Sequence, residues 1–292
     1  MSSIQTGASQ TYIAKEDWSV KLQERLNKPT VWKEIGRVIY SNYNVLNNPY
    51  LTDPTVHTLA AGSAYTYDQV TETNEFLTIA PLKIIPQHID RGVLAMSGYL
   101  RQMEMADIQG TLLNEALESA LYAEHANFTD FGATDSTGGA AGDTATITVS
   151  INNIDDIITN IIRVINVANG QSLLARNGGF VVWRPGDFML LTQFMMNSGF
   201  STADRALTQG VVSGIDYMGL THYSSNSLVA GHVFAGVKKV EVIGVLQDTY
   251  GQIMVDEHDP AQVSGVSVVS RLDAGFKTFT KVKPVLLDVN VA

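Results

Sequence analysis

Residues 102–124 read QMEMADIQGTLLNEALESALYAE, and the spacing in this stretch decides the fold. At 100° per residue, Met105, Ile108, Leu112, Leu113, Ala116, Leu117 and Ala120 fall on one arc. Glu104, Asp107, Thr111, Glu115 and Glu118 fall on the other. The pattern holds from Gly98 to Ala126 and predicts a helix roughly 42 Å long at 1.5 Å per residue. A helix of that length with one apolar face is a spine on which a sheet packs.

Upstream, Val56–Ile89 is rich in Thr, Tyr and β-branched residues, interrupted by Gly62-Ser63 and by the polar run Thr71–Glu75. It reads as two long strands joined by a polar tip, a protruding hairpin. Pro81 and Pro86 suit only an edge or the strand ends. Asn42–Pro54, with Asn47-Asn48-Pro49 and Asp53-Pro54, reads as turns. Asp17–Leu26 reads as a short amphipathic helix, Val31–Tyr40 as a second short segment, and residues 1–15 as a polar arm.

Downstream, Phe128–Asp143 reads as a Gly-rich loop and Thr144–Ile151 as an alternating strand. Asn153 then caps a helix in which Ile154, Ile157, Ile158, Ile161, Ile162 and Ile165 repeat at three and four. This stripe reads as core. Gly179–Trp183 is a buried-strand run, Pro185 opens a helix to Met195, and Ser201 caps another. From Gly210 the chain is mostly β, with strands expected at Gly210–Gly214, Tyr217–Tyr223, Val233–Val245, Gly265–Leu272 and Val282–Val291.

Composition narrows the function classes. In 292 residues, 45% are apolar and only 16% charged, against about 25% in ordinary globular chains. A large core is available, and the low charge fits a surface covered by other subunits. The net charge of −10 argues against a grip on duplex DNA through its phosphates. Met1–Arg37 carries +2 and the remainder −12. Cysteine is absent, so disulfides and thiolate chemistry are excluded. There is no run of 18 apolar residues to span a membrane. Met1–Trp18 lacks the basic and apolar regions of a secretory signal.

Catalytic motifs are missing. There is no Walker phosphate loop, no Gly-x-Ser-x-Gly elbow and no His-Glu-x-x-His. The six histidines (57, 88, 125, 222, 232, 258) show no ligand spacing, so the expectation is no catalytic residue, no cofactor and no metal. The stripe Glu104, Asp107, Glu115, Glu118 lacks the Glu-x-x-His partners of a carboxylate metal site and reads as a solvated or subunit-facing helix side. Asp256-Glu257-His258-Asp259-Pro260 reads as an exposed turn, with a divalent-ion or pH-responsive site as the sharper alternative. Trp18, Trp32, Tyr40, Tyr43 and Tyr50 are either interface anchors or local packing.

The order of elements resembles the major capsid proteins of tailed bacteriophages, an α+β chain of the Hong Kong 97 type capsid fold. Gln102–Glu124 matches the spine-helix position. Asn177–Phe188 (NGGFVVWRPGDF) is similar to the family's strand, proline and helix in the axial domain. Gly210–Asp216 through Thr221–Leu228 resembles its Gly-x-hydrophobic-x-Gly to Ser-Asn-x-Leu passage. The likeness implies an N-terminal arm (1–44), an extended β-hairpin loop (45–90) and a peripheral domain with the spine helix (91–149). An axial domain (150–258) and C-terminal strands returning to the peripheral domain (259–292) complete it. It implies hexamers and pentamers closing an icosahedral phage head around double-stranded DNA bound without sequence specificity. Scaffold, portal and decoration proteins are the implied partners, and the virion and, during assembly, the host cytoplasm the location. Trp18, Trp32, Tyr65, Tyr67, Glu72 and Glu75 are then the expected inter-subunit contacts. Some family members weld subunits through a hairpin Lys; the one Lys here is Lys83, near the base, so no cross-link is expected. An encapsulin-like compartment shell is the alternative with the same fold, and an α/β enzyme built on Ile154–Phe200 is the alternative from another class.

Overall fold

The computed structural model describes residues 30–58, 60–64, 67–89, 101–198, 214–247, 253–256 and 266–292. The arm 1–15, the helix Asp17–Leu26, the Ser201 cap, the strand Gly210–Gly214 and nearly all of the turn Asp256–Pro260 lie outside them, as do Trp18 and Tyr65.

In chain order, α1 (Trp32–Ile35) leads into β1 (Arg37–Ser41), β2 (Val45–Leu51), β3 (Glu72–Thr78) and β4 (Ala80–Ile89). The spine helix α2 follows (Arg101–Ala123), then a 3-10 turn at Glu124–Asn127, β5 (Thr129–Phe131) and α3 (Ala133–Ser136). Next come α4 (Ile154–Val167), α5 (Gln171–Asn177), β6 (Gly179–Trp183) and α6 (Pro185–Asn197). The rest is β: β7 (Ile215–Tyr217), β8 (Leu220–Ser224), β9 (His232–Val237), β10 (Val242–Leu246), β11 (Ile253–Asp256), β12 (Val266–Lys277) and β13 (Leu286–Asn290).

Two sheets carry two cores. The first sheet has the order β1-β10-β12-β11, with β4 on the free edge of β12. The spine helix lies against it: Leu113, Leu117 and Leu121 pack with Trp32, Ile243, Val245, Leu272 and Ala274. The second sheet, β5-β13-β9-β6-β8-β7, mixes parallel and antiparallel pairs. Its central strand β6 is buried at every position, as its unbroken apolar run requires. Helix α4 closes it with Ile154, Ile157, Ile158, Ile161, Val164 and Ile165, the stripe read from spacing except that Val164 is buried and Ile162 only partly so. Its N-cap Asn153 takes the Ser150 amide on its side-chain oxygen (2.8 Å), and Asp155 and Asp156 occupy its first turn, where the helix dipole favours them.

The hairpin differs from the sequence reading. Its arms are β2 and β3, paired from Val45↔Thr78 to Leu51↔Glu72. The Asn47-Asn48-Pro49 turn signal is overridden because β2 belongs to a two-stranded ribbon with open edges, where Pro49 forfeits no ladder bond that the sheet needs. Thr71–Glu75 is therefore mostly strand, and the tip is the irregular stretch 52–71. Phe76–Ile85 is split. Through Thr78 it belongs to the ribbon, and from Ala80 it pairs with β12.

Other readings change for equally local reasons. Tyr217–Tyr223 is two strands around a tight turn, with Met218 (φ 52°) and Gly219 (φ 78°) in the left-handed region that such hairpins need. Val233–Val245 is two strands in different sheets, broken at Lys238–Glu241. Thr144–Ile151 holds one bridge, Ile147 to Val291, rather than a strand. Phe128–Asp143 contains β5 and α3. Of the two C-terminal strands, β12 enters the helix-backed sheet, but β13 crosses to the six-stranded sheet. No helix among the described residues is long and apolar enough to cross a membrane.

A pair of glycines seats the hairpin. Gly244 and Gly275 face each other across β10 and β12. The chain from Leu77 to Ile79 lies directly on them: a Cβ at Gly244 would strike the Leu77 side chain, and one at Gly275 the Thr78 carbonyl. Backbone cannot yield as a side-chain tip can, so Gly275→Val is expected to destabilise the chain by about 2–3 kcal/mol or displace the hairpin base. A urea midpoint near wild type would contradict this packing.

Candidate assembly surface

Among the described residues thirteen large apolar side chains are exposed; nine of them lie between residues 40 and 84, six of these on the ribbon 45–78. Val56 is 95% exposed and Tyr67 84%; Tyr43, Val45, Leu51, Val70, Phe76 and Ile84 join them. A two-stranded ribbon has no core of its own. Its base is anchored by Leu77 and Ile79 packing with Val242, Leu46 and Phe279. An apolar concentration of this kind on a projecting ribbon marks a surface built to be covered.

The ribbon is nonetheless held in shape. Thr52 donates its amide (3.0 Å) and hydroxyl (2.7 Å) to the Thr71 carbonyl. Asp68 accepts the Thr55 amide (2.7 Å) and meets His57 Nε2 at 2.7 Å; the His57 bond, then the Thr55 amide, hold its carboxyl below the usual range. The arms are also tied to the body: Lys281 reaches the Leu51 carbonyl (3.2 Å) and Asp53 (2.8 Å) where the arms meet the tip, and Glu75 accepts the Thr280 amide at 3.2 Å. Beside the ribbon lies a cleft of about 570 Å³ lined by Arg37, Arg176, Lys239 and Lys281, with no carboxylate among the described residues of its wall. In a chain of net charge −10, that gathering of cations is complementary to an acidic segment.

The expected contact residues separate accordingly. Tyr67 and Glu72 stand on the exposed ribbon. Glu75 is partly buried and tied to Thr280 within the chain. Trp32 is corrected: at 1% exposure it packs in the spine-helix core and makes no surface. Lys83 is exposed on β4, opposite Leu272, and so is outside the ribbon.

The acidic stripe of the spine helix is also corrected. Asp107 is exposed and Glu115 partly buried, but Glu118 has no solvent exposure. Its carboxylate accepts the Val31 amide (2.6 Å), the Tyr122 hydroxyl (3.0 Å) and the Ser225 hydroxyl (2.8 Å). It thereby ties the start of the described chain, the spine helix and the loop after β8 together. Desolvation raises its pKa, and these hydrogen bonds oppose the rise. The buried stripe runs Gln109, Leu113, Leu117, Leu121, with Glu118 and Tyr122 beside it. Leu112, Ala116 and Ala120, placed on the apolar arc by spacing, are only partly buried.

In the Gly-rich loop four amides are taken up by the loop's own carboxylates rather than pointed at an anion site. Asp135 takes the amides of Gly132 and Asp143, and Asp143 those of Thr134 and Ala145.

Two buried groups give the fold opposed pH dependences. The Trp183 indole N–H donates to His222 Nδ1 (2.9 Å), which leaves the ring proton on Nε2, 3.2 Å from the Tyr217 carbonyl. Burial lowers this imidazole from 6.5 to about 4. As pH falls from about 6.5 to about 4 the unfolded chain binds a proton that the folded chain refuses, and stability is lost. Glu241 is raised to about 7, chiefly by burial; one oxygen accepts from Thr278 (2.6 Å) and the other has no partner. As pH rises from about 4.5 to about 7 the unfolded chain releases a proton the folded chain retains, and stability is again lost. Each effect is worth about 3 kcal/mol at full extent. Relative to wild type, Glu241→Gln should gain this amount on going up through its window, and His222→Gln on going down through its own. Urea titrations at pH 4.5, 6 and 7.5 read both, and parallel profiles for all three chains would contradict the assignment.

No protein-family model matches the chain, and no curated protein matches it in sequence. Solved structures match it in fold over nearly its whole length. A chain of Mycobacterium phage Che8 superposes with a TM-score of 0.69 at 16% identity, covering 94% of this chain and 96% of that one. A chain from the capsid of a native GTA particle gives 0.69 at 12% identity, covering 98% and 97%. The mature capsid of bacteriophage PhiM1 gives 0.65 at 13% identity, covering 95% and 91%. The chain has the fold of these capsid subunits. That α+β fold is the one expected from the order of its elements.

Proposed function

We propose that this chain is a major capsid protein of a tailed phage, assembling through its own copies into hexamers and pentamers of an icosahedral head around double-stranded DNA. The observation that carries the reading is the exposed apolar ribbon 45–78, which has no core of its own and leaves its apolar side chains to be covered by something else. Likeness to capsid chains supplies the geometry in which that something is a neighbouring copy. On this reading the N-terminal arm and the ribbon reach over neighbours. The six-stranded sheet with α4 and α6 meets its copies around the capsomer axis, and the spine helix and its sheet meet copies at the local threefold and twofold axes. The cationic cleft beside the ribbon receives an acidic stretch of an adjacent copy. The net negative charge keeps the packaged genome from adhering to the wall. Scaffold, portal and decoration proteins complete the partner set, no covalent weld joins the subunits, and the role is structural rather than catalytic.

Size-exclusion chromatography with light scattering tests this. The full chain is expected to elute as capsomers or megadalton particles. A species of one or two chains at high concentration would refute it. Particles from the native host should protect double-stranded DNA from nuclease; a compartment shell would enclose an enzyme instead.

A further inference from the structure

The six histidines look scattered in sequence, but the fold brings two of them onto one buried carboxylate. His125 lies in the 3-10 turn that ends the spine helix, His232 begins β9, and Asp288 sits on β13. His125 Nδ1 is 3.0 Å from Asp288 Oδ2, and His232 Nδ1 is 2.9 and 3.0 Å from its two oxygens. The two rings lie with centroids 3.9 Å apart and their planes tilted by 34°. All three donor atoms fall within 4.8 Å of one another.

We propose that His125, His232 and Asp288 form a site for a transition-metal dication of the zinc type. The donor set decides the class. Two imidazoles and one carboxylate suit Zn²⁺ and its neighbours, whereas Ca²⁺ and Mg²⁺ require mostly oxygen ligands. The two nitrogen–oxygen edges of the site need little change. Ligands about 2.0 Å from a tetrahedral ion stand about 3.3 Å apart, so the two Nδ1–carboxylate contacts open by only a few tenths of an ångström. The proton balance also works. Each neutral imidazole moves its proton from Nδ1 to Nε2, which frees the Nδ1 lone pair. The side chains are 21% and 23% exposed, so water accepts the relocated N–H groups and fills the fourth position. The carboxylate is 3% exposed, and among the described residues its side-chain hydrogen-bond partners are these two rings. A dication compensates a buried charge of that kind directly.

The position defines the consequence. Leu113, Leu117 and Leu121 of the spine helix belong to one core, whereas Tyr122 and Phe128 already belong to the other. His125 lies where the chain passes between them. An ion held by the helix end, β9 and β13 clamps the spine helix to the six-stranded sheet. This holds whether or not the chain forms a shell.

The test uses tag-free full-length protein freed of metal by chelator and titrated with ZnCl₂ in a calorimeter. One ion per chain is expected, with no uptake of MgCl₂ at the same concentrations. His125→Gln and His232→Gln should each weaken Zn²⁺ by at least tenfold, and His57→Gln, at the exposed ribbon pair, should not. Free Zn²⁺ at one hundred times its dissociation constant should raise the folded-to-unfolded ratio of wild type about 100-fold. If the variants fail to fold, Co²⁺ added to wild type decides instead: an intense visible absorption of a four-coordinate ion, discharged by Zn²⁺, supports the site. Absence of saturable Zn²⁺ uptake, a faint octahedral cobalt spectrum, or uptake that survives both histidine substitutions overturns it.

Discussion

Replacing residues 52–71 by an Asn-Gly turn is expected to yield a chain that folds and does not assemble. Leu51 and Glu72 are the last paired residues of the ribbon, and a two-residue turn with left-handed backbone joins such a pair without strain. The excision removes Val56, Tyr67 and Val70, the three most exposed large apolar side chains among the described residues of the ribbon, and leaves the anchoring residues Leu77 and Ile79 untouched. The tip bonds mainly to itself, through Thr52–Thr71 and Asp68 with Thr55 and His57, so the chain's own stability should fall by no more than about 1 kcal/mol once the Lys281–Asp53 bridge, itself exposed, is lost. Assembly should fall below detection. Wild-type particle yield from the shortened chain would mean that the ribbon is not what joins the copies. A shortened chain that fails to fold would mean that the tip belongs to the fold.

Glu118→Ala is expected to remove about 3–5 kcal/mol of folding stability. Three donors from three parts of the chain converge on this carboxylate, and deleting it strands the Val31 amide, the Tyr122 hydroxyl and the Ser225 hydroxyl in a site with no water to replace it. Glu118→Gln keeps an acceptor of the same shape without the charge whose burial raises its pKa, and should recover a large part of the loss. Chemical denaturation separates the cases. Equal midpoints for Glu118→Ala and wild type would show that the joint contributes nothing net, and an alanine variant no worse than the glutamine one would show that the hydrogen bonds are not its content.

These residues also show why part of the molecule was legible and part was not. The isoleucine stripe of α4 could be read because a single element declares its buried face through its own spacing. The spine helix declared its existence and length in the same way, but not its orientation. Gln109 and Glu118 are buried because Gln87, Ser270, Val31 and Ser225 await them, 22 to 161 residues away. No local pattern contains those partners. The run Val233–Val245 looked like one strand because apolar character continues where the chain changes sheets; the signal lay in Lys238, Lys239 and Glu241, with Lys239 turning through φ 61°. Asn47-Asn48-Pro49 misled in the opposite sense, since turn preference yields to a pairing partner in an open ribbon. At the assembly surface, the projecting hairpin was visible from its composition, but its arms were displaced by one strand. The convergence of His125, His232 and Asp288 had no sequence signal, because metal-ligand spacing is recognisable only when the ligands share one element or one turn.

Electron microscopy of the purified full-length chain at assembly concentration tests the central claim most directly. The account predicts closed icosahedral particles whose walls resolve into five- and sixfold clusters, with the 45–78 ribbon of each subunit lying across its neighbour. A field of isolated compact molecules, each with that ribbon folded onto its own body, would contradict it.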